Sequence, residues 1–154
     1  MTPAVNDLKK SKISFTLHKY IHDPAHQSYG LEAAEKLNLD PERVLKTLVV
    51  QLDTDELGVA IVPVTRQLNM KAVAKFFGVK KIFMAEGTLV EKSTGYVLGG
   101  VSPLAQKKRL KTVLDSSAEK YQTIFVSGGR RGLEIELKPT DLLRLTGAAT
   151  AAVC

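Results

Sequence analysis

Cysteine is nearly absent: the chain has one, Cys154, as its last residue. That excludes an internal disulfide and a cysteine-built zinc cluster. A thiol at a mobile chain end is also a poor nucleophile, because nothing holds it against a base. Long apolar runs are missing too; none approaches the roughly 20 residues a membrane helix requires. Met1-Thr2-Pro3-Ala4 lacks the basic start and apolar centre of a signal peptide, so a cytoplasmic protein that touches no membrane is expected. Nowhere is there a Gly-x-Ser-x-Gly elbow, a phosphate loop ending in Gly-Lys-Ser/Thr, or a Gly-x-Gly-x-x-Gly turn. Histidines number three. On an extended strand His18 and His22 stand about 13 Å apart, too far to share one ion. Acidic residues are outnumbered 16 to 22, giving a net charge of +6, which favours a polyanionic partner.

What is present fits one domain over 1–154, with a core large enough to need no staples. Its centre is Val44-Leu45-Lys46-Thr47-Leu48-Val49-Val50, a β-branched run that predicts a largely buried strand. Lys46 is the anomaly in it. A lysine there either marks the wet end of the strand or is kept for chemistry. Asp53 to Gly58 turns the chain into Val59–Val64 as a hairpin, with Pro63 at an edge or a strand end. Before it come a helix over Pro3–Lys10 capped by Thr2, a strand over Ser14–His22 with Phe15, Leu17 and Ile21 inward, and a helical stripe from Leu31 to Leu39. After it come a helix over Asn69–Phe77 stopped by Gly78, a strand over Lys80–Ala85 and a helical turn over Thr88–Ser93. Strands at Thr112–Leu114, Thr123–Val126 and Leu133–Leu137 lead to a last helix closed by Gly147 and an alanine-rich tail expected to fray. No regular βαβ repeat emerges. The class expected is α+β with a mixed, barrel-like sheet surrounded by short helices.

Two further stretches invite a functional reading. Gly95-Tyr96-Val97-Leu98-Gly99-Gly100-Val101-Ser102-Pro103 puts paired glycines after a short apolar strand. Glycines there let main-chain N–H groups approach a ligand, or simply allow a tight bend. Next follows Gln106-Lys107-Lys108-Arg109-Leu110-Lys111, the densest basic run, either a solvated face or a phosphate contact. Ser127-Gly128-Gly129-Arg130-Arg131-Gly132 makes a hairpin with an arginine tip.

The Lys46-Thr47 strand start, Gly-Tyr-x-x-Gly-Gly-Val-Ser-Pro, and Ser-Gly-Gly-Arg-Arg-Gly-Leu-Glu-Ile-Glu-Leu together resemble one family: the bacterial Cys-tRNA(Pro) deacylases of the YbaK type. These are relatives of the editing domain inserted in bacterial prolyl-tRNA synthetase. The resemblance covers nearly the whole chain. It implies hydrolysis of the ester joining a wrongly attached amino acid to tRNA, with no metal or cofactor and with prolyl-tRNA synthetase as a partner. Carried over by position, Lys46 matches the essential lysine that holds the terminal nucleotide. Gly99 and Pro103 bound the Gly-x-x-x-Pro loop, with Ser102 inside it and the N–H groups of Gly100 and Val101 facing the carbonyl. Tyr20, Thr47 and Ser127 match pocket positions. Tyr29 stands where phenylalanine is common, and Glu134 where aspartate is common. Lys107, Lys108, Arg109, Arg130 and Arg131 are the expected tRNA backbone contacts. The missing nucleophile fits an ester cleaved by the substrate's own thiol. A deacylase for Ala-tRNA(Pro) or another aminoacyl-tRNA, and a non-catalytic tRNA- or synthetase-binding module, stay open as alternatives.

Overall fold

In the computed structural model, which describes residues 1–154, five helices surround two sheets. Helix α1 (Pro3–Lys10) begins as its sequence directs, with Pro3 at the first position and the Thr2 hydroxyl accepting from Val5 N–H at 3.3 Å. The same hydroxyl donates to the Gly128 carbonyl at 2.5 Å and pins the helix to the glycine hairpin. β1 (Thr16–Lys19) and α2 (Tyr29–Lys36) come next, then β2 (Leu45–Leu52) and β3 (Leu57–Pro63). α3 (Met70–Phe77), β4 (Ile82–Met84) and α4 (Gly87–Thr94) follow. The chain closes with β5 (Lys111–Asp115), β6 (Ile124–Ser127), β7 (Leu133–Leu137), α5 (Pro139–Thr146) and β8 (Ala149–Ala151).

One sheet is antiparallel, in the order β1-β7-β6. The other is mixed, in the order β4-β2-β3-β5-β8, because β5 and β8 run parallel to their neighbours. The two sheets meet at a single parallel bridge, Val44 to Phe125, so the expected barrel-like arrangement is an open one. Between them lies the main core, including Leu45, Val49, Ile61, Leu114, Ile124 and Ile135. The opposite face of the five-stranded sheet is covered by Val73 and Phe77 of α3. No helix is long and apolar enough to cross a membrane.

β2 and β3 form the expected hairpin, with Lys46 opposite Val62. Pro63 ends β3, which is a central strand, so the missing N–H falls where the ladder stops. Three expectations need correction. β1 is shorter than Ser14–His22, and Ile21 is 88% exposed because the chain has already left the sheet. Gly95 to Leu98 is no strand: Gly95 closes α4 at φ +82°, and Val97 and Leu98 ride an exposed turn. The tail does not fray. β8 joins β5, Val153 is fully buried, and its N–H donates to Asp115 Oδ1 at 3.0 Å.

Candidate active site

A cavity of about 330 Å³ opens along the edge of β2. β4 pairs with β2 only from Val50 to Leu52, so it leaves the first half of that edge uncovered. Val49 C=O accepts from Ala85 N–H at 3.1 Å on this side, so by the alternation of an antiparallel ladder Thr47 and Leu45 turn their N–H and C=O the same way. That is why five consecutive residues, Leu45 to Val49, line one cavity: it straddles a strand edge instead of resting on a face. Met84, Ala85 and Val90 supply an apolar wall, and Leu98, Gly99 and Val101 a loop wall. The end of the second sheet brings Tyr20, Ser127 and Glu134. Ser28, Tyr29 and Gly30 close the side at the start of α2, and Arg130 and Arg131 line the remainder.

Lys46 shares a strand face with Leu48 and Val50, whereas Thr47 and Val49 look into the core between the sheets. The Lys46 ammonium forms no ion pair. Burial pulls its pKa below the usual lysine value, and only Cys154 opposes that. Two buried polar atoms of the lining lack partners, Thr47 Oγ1 and Glu134 Oε2. Glu134 is 7% exposed, and burial alone pushes its pKa up to about 8. At neutral pH it is therefore a neutral carboxylic acid that can donate one hydrogen bond. Tyr20 is also shifted up, by burial first and then by Glu134 and Glu32, despite the opposing backbone contact with Gly132. The Ser127 hydroxyl accepts from Gly129 N–H at 3.2 Å, which stiffens the hairpin below it.

The glycine loop is pressed against the 128–132 hairpin. A Cβ on Gly100 would stand 2.8 Å from Arg130 Cα, and Gly99, at φ +85°, would meet Arg131 and Tyr29 at 2.5 and 2.6 Å. Gly100 N–H is already bonded to Val97 O at 3.0 Å, whereas Val101 N–H has no backbone acceptor and Val101 lines the cavity. Of the two donors expected from the sequence, only Val101 belongs to a residue that lines the cavity and has its N–H free of a backbone acceptor. Ser102 and Pro103 do not reach the cavity. Ser102 is fully buried, its hydroxyl accepting from Leu104 N–H at 3.2 Å, and Pro103 turns to a second hollow.

That second hollow, about 230 Å³, also holds Lys108 and Arg109, next to Thr112 and Thr146. Lys107 and Lys108 are exposed and tied by their N–H groups to the end of α4, so the basic run lies apart from the Lys46 cavity. The histidines turn to separate carboxylates: His18 to Glu136 at 2.9 Å, His22 to Glu32 at 2.6 Å, His26 to Glu35 at 3.3 Å.

Residues 22–145 match the model of the aminoacyl-tRNA editing domain. The chain belongs to that family. EbsC of Enterococcus faecalis, by name a candidate Cys-tRNA(Pro)/Cys-tRNA(Cys) deacylase, is 34% identical over 152 residues, which are 99% of this chain and 92% of EbsC. A proline–tRNA ligase of Syntrophotalea carbinolica is 32% identical over 97 residues, 63% of this chain but 16% of the ligase. The crystal structure of the hypothetical protein APE2540 superposes with a TM-score of 0.87 at 26% identity, covering 99% of both chains.

In this editing domain the apolar wall of the cavity is barely marked in the sequence. Met84 and Val90 carry no motif and Leu98 falls at a variable position of the glycine stretch; in the fold Met84 and Leu98 are large apolar side chains left about half exposed, at 50% and 47%. Ser28 and Leu48 were likewise not anticipated.

Proposed function

We propose that the chain removes cysteine wrongly attached to tRNA(Pro) by cleaving its aminoacyl ester, acting in trans on the charged tRNA. Membership of the aminoacyl-tRNA editing family sets the bond class. The observation that carries the mechanism is the content of the cavity: no histidine and no cysteine line it, and its one carboxyl is held neutral by burial. Ser127 and Thr47 therefore have no histidine or carboxylate base to activate them. A site of this kind works by positioning and by stabilising the oxyanion.

The Val101 N–H receives the developing carbonyl oxyanion in this reading, which is supported by its lack of a backbone acceptor and by Val101 lining the loop wall. The Lys46 ammonium, unpaired at the edge of β2, holds the phosphate of the terminal nucleotide and so fixes the ester above the cavity. The nucleophile is the substrate's own thiol. Its sulfur bonds to the carbonyl carbon as the S–H proton leaves, the ester C–O bond breaks with the departing ribose oxygen taking that proton, and water then breaks the C–S bond of the cyclic thiolactone to free cysteine. A synthetase pocket built for proline excludes small amino acids poorly, so a second site of this kind corrects the error. The match to a segment of a proline–tRNA ligase supports prolyl-tRNA synthetase as the partner that supplies tRNA selectivity. Lys107, Lys108 and Arg109 contact tRNA phosphates away from the ester in this reading, which their exposure supports.

The test is turnover of cysteinyl, seryl and alanyl esters on the same tRNA(Pro). Cysteine released far faster than serine or alanine supports the thiol route. Serine or alanine released as fast as cysteine refutes it, because neither carries a thiol.

A further inference from the structure

Arg131 is exposed and next to Arg130 in a basic hairpin tip, so charge alone would assign both to tRNA phosphates. Their contacts differ. Arg131 Nη2 donates to the Leu98 carbonyl at 3.1 Å, and its guanidinium lies over the Tyr29 ring, 4.0 Å from the centroid. Gly99 fits between the two side chains: a Cβ there would collide with Arg131 Nε and Tyr29 Cε2. Tyr29 in turn meets the His22 ring edge-on at 5.5 Å. His22 is anchored at 2.6 Å by the fully buried Glu32, whose other oxygen takes the Asp23 N–H at 2.7 Å and the Lys36 ammonium at 3.1 Å. A continuous line of contacts therefore runs from a buried carboxylate to the loop that presents Val101 N–H.

We infer that Arg131 is a positioning residue: with Tyr29 it clamps the Leu98–Gly99 turn and so holds the Val101 N–H where the ester carbonyl develops charge. An arginine serves a phosphate through the N–H edge of its fork. Arg131 has one donor committed and one face covered, whereas Arg130 makes no hydrogen bond through its side chain and remains available to a phosphate. The catalytic half of this inference rests on the deacylase reading above; the clamp itself does not.

Two measurements separate them. Hydrogen exchange of the amides over 97–102, read without substrate, should quicken by about thirty-fold or more in Arg131→Ala, the lower end of one exposed cation–π contact and one charged hydrogen bond combined. Unchanged exchange would overturn the clamp whatever the reaction. In deacylation kinetics Arg131→Ala should lower kcat by a similar factor, with KM and the salt dependence unchanged, and Arg131→Lys should not restore it. Tyr29→Ala should behave as Arg131→Ala, and the double variant no worse than either. Arg130→Ala should instead raise KM and reduce the salt slope by about one. A raised KM, a reduced salt slope and rescue by lysine at Arg131 would make it a phosphate contact and refute the inference. A wild type that releases no amino acid, yet shows the exchange effect, would sink the deacylase reading while keeping the clamp.

Discussion

Replacing Glu134 by glutamine should stabilise the protein at neutral pH. The carboxyl is almost wholly buried, Oε2 has no partner, and burial raises its pKa from 4.5 to about 8. Because the folded value lies above the unfolded one, the folded state holds the proton longer. The favourable contribution is therefore complete below about pH 4.5, shrinks as pH rises toward 8, and is constant beyond. At pH 7 the unfolded carboxyl is ionised and the folded one is not, a gap of about 2.5 pH units, or at most about 3 kcal/mol. A glutamine at this position cannot ionise in either state and escapes this cost while keeping the shape. Urea unfolding of both proteins across this range should give a stability difference that grows by about 1.4 kcal/mol per pH unit. Near pH 7 the melting temperature of Glu134→Gln should be higher by roughly 6 to 12 °C. A difference independent of pH, or a variant less stable than wild type at pH 7, would mean that Glu134 is ionised in the fold and that a neutral carboxyl in the cavity is the wrong picture.

Three other expectations follow from the same geometry. Gly100→Ala should destabilise by about 1–3 kcal/mol, since its Cβ meets the Arg130 backbone at 2.8 Å and neither strand of chain can swing away, as denaturant midpoints would show. Glu32 behaves oppositely to Glu134: its hydrogen bonds to Asp23 N–H, His22 and Lys36 outweigh burial and hold its pKa down to about 2. Its contribution is full above about pH 4.5 and lost as pH falls toward 2, so Glu32→Gln should cost about 3 kcal/mol at neutral pH and flatten the acid limb of the stability profile. Neutralising Lys107, Lys108 and Arg109 together should weaken tRNA binding and lower its salt slope by up to about three, leaving the release rate from saturated enzyme intact.

Much of the fold was legible because local patterns and caps coincide. Asn69 and Gly78 bracket α3, Thr2 and Pro3 start α1, and the β2–β3 hairpin is written in two apolar runs around a polar turn. The tail was not legible. Alanines in β8 have no strand signature, and the strand exists because β5 offers a parallel edge and Asp115 an acceptor for Val153. The site was half legible. Lys46, Thr47, Gly99, Val101 and Glu134 converge on one cavity, yet the open edge of β2 that unites them depends on β4 stopping at Val50, a fact of tertiary pairing. Closeness in sequence misled elsewhere. Pro103 and Leu104 are buried and carry the chain away from the glycine loop, so the basic run that follows serves a different hollow. Arg131 and Arg130 look alike in sequence, and only the Tyr29 ring and the Leu98 carbonyl distinguish them.

The most direct test of the central claim is release of amino acid from tRNA(Pro) charged separately with cysteine, alanine and proline, using wild type and Lys46→Ala, with prolyl-tRNA synthetase present or absent. The account predicts rapid loss of cysteine alone, abolished by Lys46→Ala in a protein that still folds. Hydrolysis of none of the three, with tRNA or synthetase binding retained, would contradict it and leave a binding module where an enzyme is claimed.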